Sequence, residues 1–189
     1  MIVRRLSVVV LVVTSLITGA ALSASAATAP NTWATKFCTA FTTWQKTITS
    51  ESNKANGALD VTSGSDLSAI REEFSSFLAK DVAATKAVTN AIDKAGAPDV
   101  TNGSKIQSKI LAGFRSTSDV FAGARSDASA LSTTDATAFV TDATKIETNL
   151  NSAANGFTNA FTQVQALDKD NKLGAALTKA KACKSLSSS

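Results

Sequence analysis

Cys38 and Cys183 are the only cysteines of a 189-residue chain and stand near its two ends. Whether they can pair depends on where the chain goes after synthesis. MIVRR is a short cationic start, LSVVVLVVTSLITGAAL an apolar run, and Ala24-Ser25-Ala26 a small-residue site. That order predicts a secretory signal peptide over residues 1–26, cut after Ala26. The apolar run carries Thr14, Ser15, Thr18 and Gly19 and is short for a retained anchor. No later stretch is apolar enough to cross a membrane. The expected location is therefore outside the cell or at the cell envelope. In an oxidising compartment two cysteines read as one disulfide. Any fold for this chain must then bring its front and its tail together.

Apolar residues recur at helical spacing over residues 27–189, which are expected to form one domain, and no sustained period-two run interrupts them. A first helix over about Thr32 to Ser52 places Trp33, Phe37, Phe41, Trp44 and Ile48 on one face, with Cys38 at the edge of that stripe. Asn56-Gly57 through Gly64 is expected to break it. A second helix starts at Ser65-Asp66, follows the stripe Leu67, Ile70, Phe74, Phe77, Leu78, Val82, Val88 and Ile92, and stops at Gly96-Ala97-Pro98. Asn102-Gly103-Ser104 has the form of a glycosylation sequon but reads as the start of a third helix running to Leu131. Ser132-Thr133-Thr134-Asp135 resembles a capping box that opens a fourth, with Phe139, Ala143, Ile146, Leu150, Ala153, Phe157, Phe161 and Val164 at heptad-like spacing.

Four such helices joined by short breaks predict an all-α, up-down-up-down four-helix bundle. An unbroken helix from Asp135 to Cys183 would extend on the order of 70 Å at 1.5 Å per residue and carry Cys183 past the end of the bundle. A break between Asp168 and Gly174 is therefore expected, with Leu173, Leu177 and Ala180 on a short fifth helix folded back so that Cys183 reaches Cys38. Gly113, Gly123 and Gly156 lie inside helices and are expected to mark close contacts between them.

The chemistry is bounded by what is missing. The chain has no histidine or tyrosine, and Met1 is its only methionine. The commonest general base and the usual zinc and haem ligands are thus absent. Ser68, Ser104, Ser108 and Ser185 have lysines nearby, but in so serine-rich a chain that proximity is unremarkable. Asp168-Lys169-Asp170-Asn171 opens like a calcium loop, then fails at Lys172, Leu173 and Lys179, and reads as a cap for the tail helix. Glu72 and Glu73 diverge on a helix. Asp81 falls beside the apolar stripe of the second helix and is read as facing water, with Val82 turned inward. No catalytic, metal or cofactor residue is assigned.

Loss of Arg4 and Arg5 with the signal leaves seventeen basic against fifteen acidic residues, a net of +2. That near-neutral balance offers no basic patch for nucleic acid. The expectation is a non-enzymatic exported protein with a binding or structural role, its partner a protein or envelope component. The alternative is a carrier for a small apolar or lipid-like ligand held between helices, with Phe114, Phe121, Phe157 and Phe161 as candidate lining.

Overall fold

A computed structural model describes residues 27–58 and 64–184, without the side chains of 55–58 and 152–155. The expected signal peptide and the centre of the first break lie outside the described residues. Within them the chain forms α1 (Pro30–Ala58), α2 (Leu67–Ala95), α3 (Gly103–Ser129), α4 (Ala136–Leu167), α5 (Lys172–Lys179) and α6 (Lys181–Lys184). The first helix runs a turn and a half beyond Ser52. No strand occurs among the described residues, and the only β-type pairing there is an isolated bridge between Thr28 and Pro98.

Side-chain contacts fix the register. The Trp33 indole donates to the Gly96 carbonyl at 2.7 Å, the Trp44 indole donates to Thr85 Oγ1 at 3.0 Å, and Lys80 pairs with Glu51 at 3.0 Å. As one residue number rises the other falls, so α1 and α2 are antiparallel. The Gln107 amide near the Ile92 and Asp93 carbonyls, and Ser75 opposite Ser129, give the same relation for α2 and α3. Gly113 lies against Ala160, where an added β-carbon would come within 3.0 Å of the alanine's own, so α3 and α4 approach closely there. Gly123 and Gly156 have open space around them and mark no such contact.

Local chemistry explains the helix ends. The Asp66 carboxylate accepts from the amides of Ser68 and Ala69, and Asp135 does the same for Thr137 and Ala138. Ser132, expected to cap α4, instead accepts from the amides of Thr134 and Asp135 and shapes the turn before it. Gly96, at φ 73°, ends α2. The α4–α5 break falls where expected. Asp168 closes α4, and its two carboxylate oxygens accept from the amides of Leu173 and Gly174, turning the chain back. Cys183 then meets Cys38 with a sulfur–sulfur distance of 2.00 Å.

Among the described residues two large hydrophobic clusters fill the interior, and a small third, of Ala34, Ala176 and Ala180, packs α5 on α1. Of the large two, one joins Trp33, Phe37, Val88, Ile92, Ile106, Ile110, Phe114, Val164 and Leu173; the other joins Phe74, Leu78, Ala124, Ala128, Leu131, Phe139 and Ile146. Between these two lies a polar layer. On α2, buried Asp81 and Thr85 separate Leu78 from Val88, and on α3, Thr117 and Ser118 separate Phe114 from Ala124. Glu51, also buried, is the contribution of α1.

Candidate functional site

Helix α1 presents Thr35, Thr39, Thr43 and Thr47 in a single row, one turn apart. Each hydroxyl donates to the carbonyl four residues earlier, at 2.8 to 3.1 Å. A hydroxyl folded back on its own helix leaves the γ-methyl as the outward group, so this polar-looking row is apolar in effect. Across from it α2 presents Ala84, Ala87 and Ala91, too small to close the space. The result is an open groove of about 650 Å³, floored by Ala40, Trp44 and Val88. Its volume lies within the range of small-molecule sites, roughly 300–1,000 Å³.

The ends of the groove differ. At one end stand Lys36 and Lys94, both exposed and neither ion-paired among the described residues. Beyond Thr47 and Ala84, the next turns carry Glu51 and Lys80. The Glu51 carboxylate binds Lys54 at 2.6 Å and Lys80 at 3.0 Å, and these two bonds hold its pKa below the usual carboxylate value. Trp44 forms the partition between this groove and the interior. Its indole N–H is spent on Thr85, whose own hydroxyl donates to the Asp81 carbonyl at 2.7 Å.

Asp81 overturns the expectation that it faces water. It is 1 % exposed, neither carboxylate oxygen has a hydrogen-bond partner among the described residues, and Val82 is only partly buried. Burial pushes its pKa from 3.8 up to about 7, and the nearby Glu51 charge adds to the rise. Glu51 was missed by sequence reasoning, yet it continues the stripe of α1, seven residues after Trp44 and three after Ile48. Carrying that stripe one turn further would have found it.

The candidate lining residues separate. Phe114, Phe157 and Phe161 come together, with ring centroids 5.0 Å apart for Phe114–Phe157 and 4.8 Å for Phe157–Phe161. Phe41 stacks on Phe157 at 5.9 Å and Trp44 meets Phe114 edge-on at 5.4 Å. These rings fill one another's space. Phe161 also borders a recess of about 390 Å³, shared with Trp33, Phe37 and Leu177 at the α4–α5 corner. Phe121 belongs to the other cluster, beside Phe74 and Leu78.

Other residues singled out from the sequence have local duties. Asp170 accepts from the Thr101 hydroxyl at 2.8 Å, and the Asn102 amide donates to the Leu167 carbonyl at 3.0 Å, tying the start of α3 to the end of α4. Among the described residues no group of three or more metal-ligating side chains occurs, and no helix is long and apolar enough to cross a membrane. The fold and its groove thus define an all-α bundle with an apolar furrow beside its first helix. Compared with known proteins, the chain matches no family, no curated protein and no solved structure.

Proposed function

We propose that this is an exported, non-enzymatic binding protein of the cell envelope or exterior that holds a small apolar or lipid-like molecule. The observation that carries the reading is the groove between α1 and α2. Its threonine hydroxyls are already bonded to the helix backbone, so an apolar ligand would leave none of them unsatisfied. The seat therefore differs from the phenylalanine lining expected from sequence. The absence of histidine and tyrosine from the chain supports binding rather than acid–base chemistry. A role as a structural envelope component is the second reading, favoured by the covalent closure at Cys38–Cys183, which suits a protein exposed to the exterior.

Native mass spectrometry of the protein collected from its producing cells tests the carrier reading. A non-covalent adduct lost on organic extraction is expected, and purified mature protein should rebind it. A bare mass, together with no binding of any alkyl probe, would overturn it.

A further inference from the structure

We infer that the α1–α2 groove takes a single-chain anionic amphiphile, a long-chain carboxylate, with its head between Lys36 and Lys94 and its tail laid along α1 towards Trp44. The inference rests on the apolar-ligand reading and adds the chemistry of the head group. Charge is distributed unevenly along the furrow. At the Glu51 end the two nearby lysines share one carboxylate, which bonds to both and cancels one of their two charges. At the other end Lys36 and Lys94 border the apolar surface with no carboxylate partner among the described residues. An anion placed there gains two ammonium donors, whereas a cationic head would meet repulsion and a neutral one would gain little.

The furrow also sets the shape of the tail. Thr35 to Thr47 spans roughly 18 Å at 1.5 Å per residue, which suits an extended alkyl chain. The volume of about 650 Å³ suits one such chain. Methyl and methylene surfaces line the way, and Trp44 is the last large side chain of the floor. Because the groove is open on one side, each added methylene should tighten binding by about two- to fourfold until the tail reaches Trp44.

The test uses the disulfide-bonded mature chain and three probes below their micelle concentrations: dodecanoate, 1-dodecanol and dodecyltrimethylammonium, each titrated calorimetrically. Dodecanoate should bind at least about tenfold more tightly than dodecanol, with the cation weakest, and the preference should shrink as salt rises. Lys36→Ala with Lys94→Ala should erase the preference while leaving dodecanol binding in place, and the double arginine variant should restore it. Ala91→Trp, at an exposed position on the groove wall, should block all three probes while the circular dichroism spectrum stays helical. Equal affinities for the three heads, or a preference untouched by the lysine variants, overturns the head-group inference and leaves the groove reading standing. Dodecanoate binding that survives Ala91→Trp, or a groove closed by a second copy in sedimentation, overturns the seat. Failure of every probe to bind sinks both readings.

Discussion

Asp81 is the residue whose behaviour departs furthest from an ordinary surface position. In the unfolded chain its carboxyl titrates near 3.8, and in the fold near 7. Below about pH 4 both states hold the proton, so Asp81 contributes nothing to the pH dependence. As pH rises from 4 to 7 the unfolded chain releases that proton first, and stability falls; above 7 the loss levels off. Glu51 acts in a separate window. Its pKa is lowered, so its contribution is present above about 4.5 and lost as pH falls below that. Thermal melts of the wild type should therefore show a lower Tm at pH 8 than at pH 5. Asp81→Leu should remove most of that difference and stabilise the protein at pH 8 by on the order of 1–3 kcal/mol, allowing for partial screening of the carboxyl. A wild-type Tm that is flat between pH 5 and 8 would mean that Asp81 is ionised in the fold.

At the scale of the element, α1 shows what a sequence pattern can and cannot convey. Its stripe of Trp33, Phe37, Phe41 and Trp44 was legible because burial repeats with the helical period, and the caps at Asp66 and Gly96 were legible because their chemistry is local. The threonine row was not. Whether a threonine offers its hydroxyl or its methyl depends on a rotamer and on the carbonyl four residues back, which composition does not reveal. Asp81 escaped for a related reason: Val82, its neighbour, offered an equally periodic apolar choice, and only the packing of three helices selects between them. Two expected outcomes belong here. Thr43→Ser keeps the backbone bond but removes the methyl, and should weaken dodecanoate binding a few-fold with little change in Tm. Asp135→Ala removes the cap of α4 and should cost about 1 kcal/mol in urea unfolding, with unchanged slope.

For the whole molecule, the joint between α1 and α4 is made by side chains. Phe37 with Phe161, and Phe41 and Trp44 with Phe157, bridge the two helices, and α5 and α6 lean on α1 at the end that carries the disulfide. Phe157→Ala should thus destabilise the fold by about 2–4 kcal/mol in chemical denaturation. The Cys38–Cys183 bond closes a loop of 145 residues and stabilises the fold by roughly 4–5 kcal/mol in the chain-entropy account. Cys38→Ser should then lower Tm by about 10 °C or more. An unchanged Tm would mean that the bridge adds nothing.

The position of that bond bears on load as well as on melting. Cys38 lies in the third turn of α1 and Cys183 in α6, so nearly all of the bundle sits inside the covalent ring they close. A pull applied between the two ends of the chain would pass from one sulfur to the other and bypass the helices. Pulled by both ends, the oxidised protein would keep the helices between the two sulfurs folded under tension that would unravel the reduced one, while Thr35 and Lys36 at the mouth of the groove stand outside the ring.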